Sequence, residues 1–269
     1  MTEGSAQRAG EAKPDLSFVM PCYNEEEAIG YTIPALVSAF AARGLHLELV
    51  AVDNGSTDGT GVAIAELAQR YPTIVPFRVE VNQGYGWGVL QGMTRATASW
   101  VGIIPADGQV DAEDVVRLFE AVRATNENAI GKVRRRFRMD GLLRKVISTG
   151  YNVFVRILWP KLGSIDVNGS PKLIPRRVID AMGLESKDWL LDPEIMVKAH
   201  RLGIRVVELN VFARMRSAGL SNIRASTCFS FFGRLLKARV GGAWKPPGPL
   251  AGASGKVQSG RAHSGAAVP

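Results

Sequence analysis

Cysteine and histidine are scarce in this sequence, and long apolar runs are absent from it. Only 2 cysteines and 3 histidines occur among its 269 residues. Cys22 and Cys228 lie far apart and belong to no Cys/His cluster, which excludes a zinc-finger site and a disulfide-based scaffold. No stretch approaches the ~18 consecutive apolar residues of a membrane-spanning helix. The first residues also lack the apolar core of a signal peptide, so we expect a cytoplasmic protein with at most peripheral membrane contact.

Charge is distributed unevenly along the chain. Residues 1–130 contain 8 Lys and Arg against 17 Asp and Glu, residues 131–161 contain 9 against 1, and residues 162–269 contain 16 against 7. The net charge of +8 is therefore an average of an acidic and a basic part. Because the acidic first half would repel phosphates, we expect no nucleic-acid partner. The pattern predicts two opposed surfaces.

Both ends of the chain have the composition of disordered segments. Residues 1–14 and 241–269 are rich in small and polar residues and contain few large apolar ones, so they bury too little surface to offset the entropy of ordering. Between them we expect one domain over residues 15–240, which is long enough to form a core without a disulfide or a metal. Residues 15–130 and 131–240 are its two halves.

Apolar runs and amphipathic segments alternate in the first half. The order β-α-β-α-β-α-β predicts an α/β fold with a mostly parallel sheet and helices on both faces. Ligands of such sheets bind beyond the carboxyl ends of the strands. The predicted strands are Leu16–Pro21, His46–Val52, Ile74–Val81 and Trp100–Pro105, and the predicted helices are Glu25–Ala42, Thr60–Tyr71, Gly86–Thr97 and Asp111–Thr125.

Three of the predicted strands lead into loops that carry carboxylates. Strand one leads into Glu25, strand two into Asp53 and Asp58, and strand four into Asp107 and Gln109. One such loop is ordinary, because Asp is common at helix N-caps and in turns. Three of them on one edge of a sheet favour a divalent cation bound to a diphosphate. Oxygen ligands favour Mg²⁺ or Mn²⁺ over Zn²⁺.

Four motifs follow the strands in order, and together they resemble family 2 glycosyltransferases of the GT-A fold. The similarity is greatest to the dolichol-phosphate mannosyltransferase-like, or polyprenyl-phosphate glycosyltransferase-like, subgroup. It extends from about Leu16 to about Ser221. The motifs are VMPCYNE at residues 19–25, VDNGSTDGT at 52–60, the glycine-rich stretch at 82–92 and ADGQ at 106–109.

The resemblance implies a role for each matching residue. Asp107 and Gln109 would hold Mg²⁺ or Mn²⁺ against the diphosphate of a UDP- or GDP-hexose. Arg216, in an R-x-x-G-x-S motif, would neutralise the leaving diphosphate. The cation would stabilise the same developing charge. The implied nucleotide-sugar contacts are Pro21, Tyr23, Glu25, Asp53, Ala106 and Asp107.

Two positions depart from the family pattern. Pro105 stands where the family often has the first Asp of Asp-x-Asp, and Asn54 stands where it often has a second Asp after strand two. The missing carboxylate leaves open a non-catalytic nucleotide-sugar-binding protein or membrane adaptor. The glycine-rich stretch at 84–88 has the spacing GxGxG and follows the third strand, which argues against a dinucleotide-binding site. It predicts instead a closely packed helix start.

The basic stretch at residues 132–159 admits several interpretations. It predicts a basic amphipathic segment, with Tyr151 and Trp159 at the level of lipid headgroups. A solvated loop followed by a core-packed helix and a nucleic-acid patch are the alternatives. The resemblance implies that this region receives a lipid phosphate, bound by Arg144 and Ser148, which are four residues apart on one helix face, and by one of Arg134 and Arg135, with Arg134 as the candidate.

Two carboxylates, Asp192 and Glu194, open a predicted helix in the second half. A hydroxyl acceptor would need one of them as a general base, whereas a phosphate acceptor is already an anion and needs none. The resemblance implies inverting transfer to a polyprenyl phosphate at the cytoplasmic face of the membrane. The alternative is an enzyme of the same fold with a glycan or small-molecule hydroxyl acceptor.

Overall fold

The computed structural model describes residues 13–126, 128–138, 142–164, 166–213 and 225–247. Strands and helices alternate through most of this part of the chain. In order, the elements are β1 (Leu16–Cys22), α1 (Glu26–Ala41), β2 (Leu47–Asn54), α2 (Thr60–Arg70), β3 (Ile74–Val79), α3 (Tyr85–Met93), β4 (Trp100–Ile103), α4 (Ala112–Arg123), β5 (Ala129–Arg138), α5 (Leu142–Leu158), β6 (Lys172–Pro175), α6 (Arg176–Met182), α7 (Leu191–Arg201), β7 (Arg205–Ala213) and α8 (Ala225–Val240).

The strands form one seven-stranded sheet in the order β3-β2-β1-β4-β6-β5-β7. Neighbouring strands are parallel except around β6, which is antiparallel to both β4 and β5. The four strands and four helices predicted for the first half are all present, with ends shifted by a few residues. The predicted mostly parallel sheet is confirmed. Because β1, β2 and β4 are neighbours and parallel, their carboxyl ends meet at one edge.

Helices cover both faces of the sheet, as predicted. Alternate residues of β1 point to opposite faces: Val19 belongs to one apolar cluster, and Phe18 and Met20 belong to the other. The Phe18 cluster includes α1 and α4, whereas the Val19 cluster includes α3, α5 and α7. Burial on both faces explains why β1 and β2 read as continuous apolar runs in the sequence.

The basic stretch after residue 130 forms strand β5, which was not predicted. β5 lies between β6 and β7, inside the sheet. Lys132 is completely buried, and the Arg135 side chain is 14% exposed. The prediction of a basic surface is therefore wrong for these two cations. They are tolerated inside because acidic groups from distant parts of the chain pair with them.

Two aromatic residues of the second half lie in the core. Tyr151 and Trp159 are each 7% exposed, so the prediction that they lie at lipid headgroups is wrong. Trp159 stacks on Trp244, with ring centroids 5.6 Å apart. Trp244 is itself buried, although residues 241–269 were predicted to be disordered. The folded part therefore continues beyond residue 240, because one tryptophan anchors this segment.

In the parts of the chain that the structure describes, we find no helix with the length and apolar character needed to cross a bilayer.

Candidate nucleotide-sugar and acceptor site

The loops after β1 and β2 are joined by hydrogen bonds into one surface. The Asn24 N–H donates to Ser56 Oγ over 3.2 Å, and the Thr57 N–H donates to Asn24 Oδ1 over 2.9 Å. The Glu25 N–H donates to Thr60 Oγ1 over 2.9 Å. Tyr23 is exposed on this surface, and Pro21 and Glu25 are partly exposed. The predicted nucleoside contacts therefore lie together on an accessible edge.

Asp53, at the end of β2, is buried and has two partners. Its carboxylate accepts from the Ser56 N–H over 2.9 Å and from Arg78 over 2.7 Å. Arg78 was not predicted as a site residue. It could have been found from the register of the parallel strands β2 and β3, which places Asp53 opposite Arg78. The pair holds the Asp53 carboxylate in one orientation beside the accessible surface.

Asp58 has a structural role in the same loop. Its carboxylate accepts from the N–H and the hydroxyl of Thr60 over 3.0 and 2.6 Å, and from the Glu26 N–H over 3.4 Å. Burial alone raises the pKa of Asp58, but these hydrogen bonds lower it below its ordinary value. Asp58 thus stays ionised and ties the start of α2 to the start of α1.

Asp107 and Gln109 lie in a tight, nearly buried loop after β4. The Gln109 N–H donates to Asp107 Oδ1 over 3.2 Å. Gly108 has φ +63°, and a Cβ there would lie 2.8 Å from the Tyr31 ring, so the turn requires glycine. Thr32 Oγ1 donates to the carbonyl oxygen of Ala106 over 3.0 Å and fixes the loop against α1.

The loop can bind a divalent cation only if other oxygen ligands, from water or from a bound diphosphate, complete the coordination. Within the described residues, no cluster of three or more His, Cys, Asp or Glu side chains is arranged to hold a metal ion. Asp107 and the Gln109 amide oxygen are hard ligands, and Mg²⁺ characteristically takes one or two carboxylates together with water and substrate phosphates. The donor set therefore fits a cation that arrives with a diphosphate.

The start of α3 packs closely against neighbouring backbone, as predicted. A Cβ on Gly84 would lie 2.6 Å from the Lys187 oxygen, and a Cβ on Gly86 would lie 2.3 Å from the Ser186 oxygen. The Trp87 N–H donates to the Lys187 oxygen over 2.7 Å. The glycines thus bring residues 186–188 directly onto α3.

Tyr85, between these glycines, was not among the predicted site residues. Its ring stacks on Trp189, with centroids 4.7 Å apart and 7° between the planes. Burial raises the pKa of Tyr85 well above its ordinary value, and the nearby charge of Asp192 raises it further, as does Asp107; a hydrogen bond with Ser170 and the charge of Arg135 act in the opposite direction. The neutral phenol therefore lies among groups from both halves of the domain.

Arg135 is bound to Asp166. Its Nε lies 3.0 Å from Asp166 Oδ2 and its terminal nitrogen 3.2 Å from Oδ1, in a bidentate pair. Burial alone would raise the pKa of Asp166, but Arg135, with a smaller contribution from Lys132, lowers it to about 2. This pairing engages one of the two arginines considered for the acceptor phosphate. Arg134, the candidate, is partly exposed.

Two buried lysines, Lys132 and Lys172, face each other across β5 and β6. Lys132 donates to Ser164 Oγ over 3.1 Å and pairs with Glu208 over 3.3 Å. Burial, followed by repulsion from Lys172, lowers the pKa of Lys132 to about 8. Lys172 forms an ion pair with Asp192. Like charges placed opposite each other are destabilising, and the ion pairs with Glu208 and Asp192 offset this repulsion.

Both predicted carboxylates of α7 are engaged with buried lysines. Asp192 is 4% exposed and pairs with Lys172. Glu194 is completely buried; it accepts from the N–H groups of Glu185 and Ser186 over 3.1 and 2.8 Å and pairs with Lys198 over 2.6 Å. The contacts of Glu194 are those of a structural residue that fixes the segment before α7.

Three predicted residues are not placed in this site. Arg216 lies outside the described residues. Arg144 and Ser148 belong to helix α5, where their four-residue separation puts them on one face, but their side chains lie outside the described part.

Comparisons with known proteins agree with this architecture. The chain matches the family model for glycosyl transferase family 2 over residues 17–183. It is 27% identical to a dolichol-phosphate mannosyltransferase of Pyrococcus furiosus over 229 residues, which cover 82% of this chain and 63% of that protein. It is also 27% identical to a dolichyl-phosphate beta-glucosyltransferase of Trichomonas vaginalis over 246 residues, covering 86% of this chain and 75% of that protein. The chain thus spans less than two thirds of the Pyrococcus relative.

Among solved structures, the fold is similar to that of glucosyl-3-phosphoglycerate synthase from Mycobacterium tuberculosis, crystallised with Mn²⁺, uridine-diphosphate-glucose and phosphoglyceric acid. The TM-score is 0.67 at 18% identity, over 85% of this chain and 80% of that one. This likeness supports the fold, and the family match covers more than half of the sequence. The chain belongs to glycosyl transferase family 2 and has the GT-A fold.

Proposed function

We propose that the protein transfers a hexose from a UDP- or GDP-hexose to a polyprenyl phosphate at a membrane surface, with inversion at the anomeric carbon. The observation that carries the choice of acceptor is the state of Asp192 and Glu194, which are both engaged in buried ion pairs. The names of the Pyrococcus and Trichomonas relatives, which refer to dolichol phosphate, support the same class of acceptor.

On the donor side, Asp107 and Gln109 would hold Mg²⁺ or Mn²⁺ together with the diphosphate. When bound, the cation neutralises the negative charge that develops on the leaving diphosphate. Arg216 is proposed to add a second positive charge there. The proposed nucleotide-sugar contacts are Pro21, Tyr23, Glu25, Asp53, Ala106 and Asp107, most of which lie on the edge formed by β1, β2 and β4.

On the acceptor side, the chemistry depends on whether a proton must be removed. A hydroxyl nucleophile requires a base within hydrogen-bond reach. A carboxylate that already accepts hydrogen bonds from a buried lysine, as Asp192 and Glu194 do, is poorly placed for that task. A phosphate oxygen attacks as an anion and needs only cations and hydrogen-bond donors to position it. Because Arg135 is bound to Asp166, we assign that role to Arg134, Arg144 and Ser148.

The surface that α5 and α8 form together, the α5–α8 face, supports contact with a membrane. The two helices pack together through Phe154 and Phe232, with ring centroids 5.0 Å apart. Neither helix contains Asp or Glu. The face therefore combines apolar and cationic side chains, which suits an anionic lipid surface. The exposed apolar residues of the two helices are Val153, Ile157, Leu236 and Val240, and their cations include Arg156, Lys237 and Arg239.

The choice of acceptor is tested with a double variant, Asp192→Asn with Lys172→Met. Asp192→Asn alone would leave a buried lysine unpaired, whereas removal of both charges preserves the fold. We expect the double variant to keep its turnover with polyprenyl phosphate within about tenfold of wild type, since a general base contributes about 10²–10⁴-fold. A larger loss of turnover, with donor binding intact, would assign Asp192 to the chemical step and contradict the argument that its ion pair excludes it from catalysis.

Two further measurements test the other parts of the proposal. Transfer that depends on Mn²⁺ and disappears in Asp107→Ala excludes a non-catalytic binding protein. Flotation with liposomes that contain anionic lipid, at low and high salt, tests the α5–α8 face. Binding should be strong at low salt and weaker at high salt because salt screens the cations. Absence of binding at low salt would contradict the membrane contact.

A further inference from the structure

Tyr85 and Trp189 form a stacked aromatic pair at the junction of the two halves of the domain. The rings are nearly parallel, with centroids 4.7 Å apart. Trp189 is 52% exposed although one face of its indole is covered by Tyr85. The uncovered part of the indole is therefore accessible to a ligand.

The pair is held rigidly on both sides. Tyr85 lies between Gly84 and Gly86, which have no room for a Cβ against residues 186–188. On the other side, Asp188 accepts from the Leu190 N–H over 2.9 Å and pairs with Arg234 of α8. Glu194 holds the backbone N–H groups of 185 and 186. The aromatic pair is therefore built into the scaffold and does not depend on a loose surface loop.

The Tyr85 hydroxyl lies where donor and acceptor groups meet. The Tyr85 ring stacks on Trp189, three residues before Asp192, and Asp192 pairs with Lys172, which lies opposite Ile103 at the end of β4. The charges of Asp192, Asp107 and Arg135 all act on the phenol. Asp107 marks the proposed diphosphate end of the site, and Arg135 belongs to β5 on the acceptor side. In an in-line transfer the hexose lies between the leaving oxygen and the attacking oxygen. The phenol is thus near the place that the hexose occupies, and this inference rests on the proposed function.

We propose that Tyr85 contacts the hexose of the donor, its hydroxyl forming a hydrogen bond with a sugar hydroxyl, and that Trp189 positions the Tyr85 ring. Tyr85 then determines which hexose binds and how it is oriented. Trp189 forms the outer wall of the sugar subsite.

The test compares the affinities of a nucleotide sugar and of the matching nucleoside diphosphate, both with Mn²⁺, by titration calorimetry. The nucleotide sugar is the one that wild type binds best in a panel of UDP- and GDP-hexoses. We expect Tyr85→Phe to lower the affinity for the nucleotide sugar by about 2–10-fold, which corresponds to the loss of one hydrogen bond. The affinity of the nucleoside diphosphate should stay within about twofold, because the proposal places Tyr85 against the hexose and not against the diphosphate or base. Tyr71→Phe, directly after the end of α2, is the matched control and should change neither affinity.

Trp189 is tested in the same assay. Trp189→Leu removes the aromatic stack and should lower the affinity for the nucleotide sugar. Trp189→Phe keeps an aromatic ring and should retain most of the wild-type affinity. If Tyr85→Phe lowers the affinities for the nucleotide sugar and the nucleoside diphosphate equally, or lowers neither, the sugar subsite is overturned and the proposed function is left intact. Failure of wild type to bind any nucleotide sugar would overturn both.

Discussion

Glu194 offers a sharp test because the structure assigns it to stability. Its completely buried carboxylate accepts two backbone hydrogen bonds and pairs with Lys198, which is 2% exposed. Glu194→Gln keeps the shape of the side chain but leaves Lys198 charged, buried and without its acidic partner. Loss of one member of a buried ion pair costs about 3–5 kcal/mol. We therefore expect the free energy of unfolding to fall by that amount.

The assay is a double-mutant cycle with Lys198→Met, followed by urea denaturation. Lys198→Met should also destabilise, because it leaves a buried carboxylate and removes a hydrogen bond to the Gly183 oxygen. The double variant should lose less stability than the sum of the two single losses, by about 0.5–3 kcal/mol, since no buried charge is left unpaired.

Turnover separates this role from catalysis. At a temperature where Glu194→Gln is folded, its kcat should stay within about threefold of wild type, because the carboxylate has no part in the chemical step. Stability within about 1 kcal/mol of wild type, together with a loss of turnover of about 100-fold or more, would refute the structural role.

Three other predictions concern buried groups outside the proposed sugar contacts. The pKa of Asp166 is about 2 in the fold, below its value of about 3.9 in an unfolded chain. Its pair with Arg135 therefore stabilises the fold by about 2–3 kcal/mol above about pH 4, and this contribution is lost as the pH falls towards 2. Urea denaturation of wild type and Asp166→Asn across that pH range checks it. The pKa of Lys132 is about 8 in the fold, below about 10.4 in the unfolded chain. The free energy of unfolding of wild type should therefore increase relative to that of Lys132→Met as the pH rises from about 8 to 10. If the difference between the two free energies stays constant over this range, the buried position is contradicted. Trp244→Ala should lower the free energy of unfolding by about 3 kcal/mol because the indole is buried against Trp159, whereas a disordered tail would give no change.

The first half of the fold was predictable from sequence because its signals are local. β1, β2 and β4 are apolar on both faces, and the loops after them carry the carboxylates that the family motifs match. The place of Asp107 and Gln109 in the loop after β4 could be predicted without a structure for the same reason. Their positions follow directly from the ends of buried parallel strands.

The second half was less predictable because its stability depends on contacts between distant residues. The sequence of β5 is rich in cations and so does not predict a buried strand. These cations are compatible with an interior strand only because the fold brings Asp166 to Arg135 and Glu208 to Lys132. Tyr85 was overlooked for a related reason. Its stacking partner, Trp189, lies about a hundred positions further along the chain.

The most direct test of the proposed function compares two lipid acceptors that differ only in the nucleophile, polyprenyl phosphate and polyprenol of the same chain length. Each is incubated with the full chain, Mn²⁺ and the nucleotide sugar that binds in the panel, and the glycosylated product is measured. Because Asp192 and Glu194 are held in buried ion pairs, we predict transfer to polyprenyl phosphate and none to polyprenol. Transfer to polyprenol, or to a soluble hydroxyl acceptor in preference to the lipid phosphate, would contradict the proposed function.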